Sequence, residues 1–175
     1  KKLSVGNTKI TDTGLVHLKG MTKLETLDIE GAKITDAGLV HLEGLTNLEK
    51  LNLDRTSITD AGLVHLKGMT KLKELNLSNK KVSDEGLVHL KGMTMLEDLQ
   101  LYGNPVTDAG LVHLKGMTSL KKLLLNGPAI TDAGLVHLKG LTKLRELYLY
   151  PGTKVTDAGV KKLKQALPKC GIQHY

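Results

Sequence analysis

The sequence predicts an α/β solenoid, with a concave parallel β-sheet of about seven strands backed by short convex α-helices. Three observations predict it. The chain repeats itself every 24 residues, so that Leu24, Leu48, Leu72, Leu96, Leu120 and Leu144 open successive copies. Each copy starts with an LxxLxL stretch, Leu24, Leu27 and Ile29 in one of them, and runs on into a block close to TDAGLVHLKGMT. The copy that ends the array turns polar where the others do not. A fixed period in this range marks stacked supersecondary units, each of which buries its apolar side only against its neighbours.

The strands come first in each unit. Leu27, Asp28, Ile29 and Glu30 alternate with the two-residue period of a strand that has one buried face. Seven such strands, beginning near Lys2, Thr26, Lys50, Glu74, Asp98, Lys122 and Glu146, line up in parallel. At about 4.8 Å per interval they span roughly 29 Å.

The helices follow. Ile-Thr-Asp or a close variant opens each one, with Thr35 as N-cap and Asp36 in the positive first turn, or Asp36 itself as the cap. Leu39 and Leu42 face inward at i, i+3, and Gly44 stands where helices commonly end in a left-handed residue. Val40 and His41 and their equivalents are expected to be buried between successive helices. In the last unit Lys161, Lys162 and Gln165 take the places of Val40, His41 and Gly44. A terminal unit lacks a following neighbour, so those positions turn polar and the helix lengthens until Pro168 stops it. Lys169 to His174 then cover the open edge. Residues 1–175 read as one domain: 1–23 a truncated first repeat, 24–143 five repeats of 24 residues, 144–175 the last repeat and a C-terminal cap. Leu3 and Val5 match Leu27 and Ile29 while the Leu before them is missing, so the chain is expected to begin further upstream.

These residues resemble the leucine-rich repeat family, in particular the short ITDxGLxxL type common in bacterial proteins. The resemblance covers residues 1–168, and the segment LKQALPKCGI from Leu163 looks like the tail of planctomycete-type members. It implies a curved right-handed horseshoe that usually binds other macromolecules, and no particular partner. Such repeats often stack Asn, Thr or Cys after the strand. Here that position reads Thr8, Ala32, Thr56, Lys80, Asn104, Pro128 and Thr153, of which Ala32, Lys80 and Pro128 are unfit for the role.

Composition narrows the function classes. With no Phe and no Trp, the core is aliphatic. A lone Cys170 excludes an internal disulfide, and the paired-cysteine end caps of extracellular relatives are missing, which leans towards a reducing, cytoplasmic compartment. No apolar run approaches the roughly 18 residues of a membrane span. Nothing resembles an acidic calcium loop, a GxxxxGK phosphate loop or a nucleophile elbow, so no cofactor and no catalytic residue is expected.

Two columns of titratable residues invite a metal. His17, His41, His65, His89, His113 and His137 recur once per unit, and so do Asp12, Asp36, Asp60, Asp84, Asp108, Asp132 and Asp157. Equivalent side chains on packed helices roughly 8 to 10 Å apart point the same way and do not converge on one ion at about 2 Å. The histidines therefore read as half-buried spacers and the aspartates as local caps, with no metal site.

The net charge of +7 sits mostly on the helices, at Lys19, Lys67, Lys91, Lys115 and Lys139, and on the cap. Outward strand positions carry six acids (Asp28, Glu30, Asp54, Glu74, Asp98, Glu146) against Lys2, Lys50 and Lys122. Phosphate binding needs clustered cations on the contacting face, so the concave side is a poor nucleic-acid surface.

Variation concentrates on that same face. Its two outward columns read Ser4, Asp28, Asn52, Asn76, Gln100, Leu124, Tyr148 and Gly6, Glu30, Asp54, Ser78, Tyr102, Asn126, Tyr150, nearly all different, whereas the helix columns barely change. Tyr102, Tyr148 and Tyr150 fall there beside Leu124, and tyrosine is favoured at binding hot spots. The expected binding surface is Tyr102, Leu124, Asn126, Tyr148 and Tyr150 as an aromatic anchor, with Asp28, Glu30, Asn52, Asp54, Asn76, Ser78 and Gln100 beside it. A non-enzymatic module that binds a protein partner follows, as a monomer or with weak self-association. A structural or self-assembling array, a carbohydrate or small-ligand binder, and the repeat portion of a larger signalling protein or enzyme stand as alternatives.

Overall fold

The computed structural model describes residues 1–78 and 81–175. Strands β1 (Lys2–Ser4), β2 (Thr26–Asp28), β3 (Lys50–Asn52), β4 (Glu74–Asn76), β5 (Asp98–Gln100), β6 (Lys122–Leu125) and β7 (Glu146–Leu149) start where the alternation places them. An eighth strand, β8 (Gly171–His174), joins them. All eight pair in parallel in chain order, with a register that sets Leu3, Leu27, Leu51, Leu75, Leu99, Leu123 and Leu147 side by side. The cap segment thus does more than cover the edge. It supplies a strand in register with β7, Leu147 opposite Ile172.

Behind the sheet stand α1 (Asp12–Leu15), α2 (Asp36–Leu39), α3 (Asp60–Leu63), α4 (Asp84–Leu87), α5 (Asp108–Leu111), α6 (Asp132–Leu135) and the ten-residue α7 (Asp157–Ala166). Each of the first six continues as a 3-10 turn, Val40–Leu42 in the second. That turn ends the helices, which corrects the expected left-handed Gly44: of the equivalent glycines only Gly20 has a positive φ. The leucines that face inward, among them Leu39, Leu42, Leu63 and Leu66, are fully buried and join one aliphatic core that runs the length of the array.

The aspartates act differently from local caps. Asp36 Oδ1 accepts from the Thr59 amide at 2.8 Å and Oδ2 accepts from the Thr59 hydroxyl at 2.6 Å, one unit further on. The same pair of bonds joins Asp12 to Thr35, Asp60 to Ser83, Asp84 to Thr107, Asp108 to Thr131 and Asp132 to Thr156. The hydroxyls of Thr59, Ser83, Thr107 and Thr131 then accept from the amide two residues on and cap their own helices. A β-carbon on Gly38, Gly62, Gly86, Gly110, Gly134 or Gly159 would overlap the carboxylate of the preceding unit. The TDAG block is therefore a coupling device between units.

The convex residues also need correction. His41, His65, His89, His113 and His137 are half-buried as expected, but His17 in the first unit is exposed, and so are Val40 and its equivalents. Lys161 and Lys162 are exposed, in keeping with a terminal unit. Behind the strands, Asn104 is buried and spans two units, with Nδ2 donating to the Leu77 and Leu101 carbonyls and Oδ1 accepting from the Val82 amide. Thr8 and Thr56 donate to their own turn carbonyls, Val5 and Leu53, and Thr8 also accepts from the Ile10 amide, so both stay within their own unit. Ala32 uses its backbone amide towards Ile29, and Lys80 lies outside the described residues.

Candidate functional site

The β-pleat turns the two variable columns to the concave side. In the N-terminal half several of those side chains serve the backbone. Asp28 Oδ1, Asn52 Oδ1 and Asn76 Oδ1 each accept from the amide two residues on, at 3.1 Å, and so close the strand end. From β5 onwards Gln100, Leu124 and Tyr148 stand in that column, and Gln100 instead donates to Asp98. The face changes character there, from locally satisfied acids and amides to larger side chains.

Among the described residues, the chain leaves β2, β5, β6 and β7 through a glycine with positive φ (Gly31, Gly103, Gly127 and Gly152), and leaves β1 and β3 through the non-glycine residues Asn7 and Arg55. At φ 56°, Arg55 holds a conformation that costs a residue with a β-carbon about 1 kcal/mol or more. It projects into the concave side, where its guanidinium lies 3.4 Å from Glu30 and 3.8 Å from Asp54. Burial pushes the Asp54 carboxyl up, and Glu30 adds to this, while Arg55 opposes it. Lys50 pairs with Glu74 at 2.5 Å and Lys122 with Asp98 at 3.4 Å.

The structure brings the three concave tyrosines together and adds a fourth. Tyr150 meets Tyr102 edge-on with ring centroids 5.0 Å apart, and stacks on Tyr148 at 6.2 Å and on Tyr175 at 5.9 Å. Tyr102 reaches across β6 to do so, over Asn126, whose Oδ1 accepts from the Gly103 amide. The Tyr148 hydroxyl donates to Glu146 at 3.1 Å, which raises its pKa above the usual phenol value. Tyr175 lies outside the 24-residue period, and its place follows only from β8, whose next residue it is. A cleft of about 500 Å³ separates the halves, lined by Asp54, Arg55, Asn76, Ser78, Gln100, Tyr102, Leu124 and Tyr150. Seven of the twelve expected binding residues therefore line one depression, and Arg55 joins them. Asp28 and Asn52 belong to a second, smaller one of about 220 Å³ with Glu74 and Lys50.

Among the described residues no group of three or more His, Cys, Asp or Glu is placed to hold a metal, and no helix is long and apolar enough to cross a membrane. Cys170 is buried, which pushes its thiol up.

Comparison with known proteins agrees with this geometry. Leucine rich repeat family models match residues 20–42 and 46–106. An internalin of Listeria monocytogenes, inlF, superposes with a TM-score of 0.80 at 28% identity, over 98% of this chain and 46% of its own. Internalin C2 of the same organism does so with a TM-score of 0.76 at 25% identity, over 98% of this chain and 69% of its own. The chain thus spans less than half the length of the first of these. No curated protein matches it. Repeats of 24 residues, each a short strand and a short helix stacked on an aliphatic core, two matching family models and two internalin structures lead to one assignment: the chain is a leucine-rich repeat protein.

Proposed function

We propose that the chain is a non-enzymatic recognition scaffold that engages a protein partner through its concave face, with residues 1–175 acting as one domain. The observation that carries this is the four-tyrosine cluster around Tyr150, beside a cleft walled on its far side by Asp54 and Arg55. Tyrosine offers a large contact area and a hydrogen-bonding tip at low rotamer cost, and the cluster lies on a sheet face that supports no core. Standard interfaces bury about 800 Å² per partner, which this patch and the neighbouring strands can supply. The internalin likeness agrees with a binding scaffold.

Affinity capture with the intact chain and with a Tyr102→Ala/Tyr148→Ala/Tyr150→Ala variant tests this reading. Proteins retained by the first and lost from the second are expected. Retention indifferent to all three tyrosines but abolished by changing Lys67, Lys91 and Lys115 would place binding on the other face. A carbohydrate ligand is the second reading, favoured by the near-parallel rings of Tyr148, Tyr150 and Tyr175, and glycan-array binding that needs Tyr150 would select it.

A further inference from the structure

A row of valines runs along the convex side. Val16, Val40, Val64, Val88, Val112 and Val136 hold the same place in six successive units and are 38–52% exposed. The core does not require them, since their inward neighbours Leu15, Leu39 and Leu63 are fully buried without their help. Three residues on, and so on the same face of the turn, stand Lys19, Lys67, Lys91, Lys115 and Lys139, all exposed. Among the described residues no carboxylate lies within ion-pair distance of these five ammonium groups. In the second unit that column holds Glu43 instead, which bonds His65 Nδ1 at 2.6 Å.

The stripe deepens at one end. Between the turn Val136–Leu138 and α7 lies a groove of about 260 Å³, lined by Leu135, Val136 and Leu163 together with Lys139 and Lys162. It exists because Lys162 stands where the inner units carry a histidine whose Nδ1 is tucked between helices, as at His89, His113 and His137. Asp132 also borders the groove, but both its oxygens are held by Thr156. Two lysines without carboxylate partners therefore flank an apolar floor.

The complement of a surface that is apolar and cationic side by side is an anionic amphiphile. A soluble polyanion would meet the lysines and gain nothing from the valines. A neutral apolar partner would strip water from ammonium groups that have no internal counter-ion. Lysine stems can lie along apolar surface while their heads meet the negative layer of a bilayer. We propose that the convex Val and Lys columns dock on an anionic lipid membrane surface, with the groove between Val136 and Lys162 receiving part of a lipid. This goes beyond the concave reading and does not rest on it.

Vesicle flotation tests the proposal, using phosphatidylcholine alone and an equimolar mixture with phosphatidylglycerol, with soluble polyphosphate as a separate ligand. The intact chain is expected to float with the anionic vesicles only, and less so as salt rises. Lys67→Gln/Lys91→Gln/Lys115→Gln should weaken partitioning on the order of a hundredfold, since each lysine near such a surface contributes about fivefold. Val136→Ser should weaken it severalfold, and Tyr150→Ala should leave it unchanged. All these sites are at the surface, and an unchanged melting temperature for each convex variant shows that folding is intact. No flotation with anionic vesicles overturns the proposal. So does flotation indifferent to Val136→Ser with equally tight polyphosphate binding, which would make the lysines a simple polyanion ladder.

Discussion

The carboxylate of Asp36 lies over Gly62 and fills the space where a β-carbon would stand, while its two oxygens hold the amide and hydroxyl of Thr59. Gly62→Ala should therefore cost about 1–3 kcal/mol through overpacking and loss of those bonds. Gly14 sits at the same place in the first unit, where no carboxylate precedes it, and a β-carbon there would come 2.6 Å from Cγ1 of the part-buried Ile10 side chain. There the gain of roughly 1 kcal/mol in helix propensity offsets part of the crowding and no bond between units is lost, so Gly14→Ala should cost less than Gly62→Ala. Urea midpoints of the two variants decide the matter. Equal costs would remove the carboxylate as the reason for the glycine.

Acid should weaken the fold in two stages. His113 is held below its ordinary value of 6.5, first by burial and then by Lys91, so the unfolded chain takes up its proton first and stability falls as pH drops through 6.5. Asp132 is held below its ordinary 3.8 by the Thr156 amide and hydroxyl, so its contribution is present above about pH 4 and is lost as pH falls through its depressed folded value. Melting temperatures from pH 7 to 3 are expected to show both declines, the first reduced by His113→Gln and the second by Asp132→Asn. Stabilisation on acidification would contradict both assignments.

The concave tyrosines should not behave alike. Tyr150 touches three rings, and aromatic pairs contribute about 0.5–1.5 kcal/mol each, so Tyr150→Ala should lower stability by roughly 1.5–4.5 kcal/mol. Tyr102 is 45% exposed and touches one ring, and its loss should be felt mainly in binding, by about 2 kcal/mol if it is a hot spot. Calorimetry of the free variants separates the two. A larger stability loss for Tyr102→Ala would reverse their roles.

Among the described residues, Asn104 is the one side chain that bonds the backbones of two units from within the core. Asn104→Ala leaves the Val82 amide and two carbonyls without it and should cost about 3 kcal/mol, whereas Thr56→Ala loses a single bond to Leu53 and should cost about 1 kcal/mol. Amide exchange would show the damage around Leu77 and Val82, one unit before the substitution. Damage confined to residues after 104 would mean that the bridge carries no load.

The strands could be read from the sequence residue by residue, because Leu27 and Leu51 repeat with a period that only a stacked sheet satisfies. The helix starts were equally visible in Thr35 and Asp36. What Asp36 does was not, since a carboxylate capping its own helix and one reaching the next unit leave the same letters in the chain. The invariance of Val40 suggested burial because the period cannot distinguish a residue locked by packing from one copied unchanged. In the candidate site, Tyr102, Tyr148 and Tyr150 were legible as a column, but Tyr175 was not, because the register of β8 is set by a loop outside the repeat. The backbone duties of Asp28, Asn52 and Asn76 were also hidden, being bonds made two residues on within each unit.

The coupling of Asp to the next Thr and Gly survives the extra residue near Pro151 and Gly152, where Asp132 still reaches Thr156 at 2.8 Å. Recombination can act on such a chain without damaging it. A crossover between any two equivalent codons, whether it adds a unit, removes one or swaps one, always leaves a carboxylate above a glycine and a hydroxyl within its reach. Length and concave sequence are thus free to evolve separately, the first by unequal exchange and the second by point substitution.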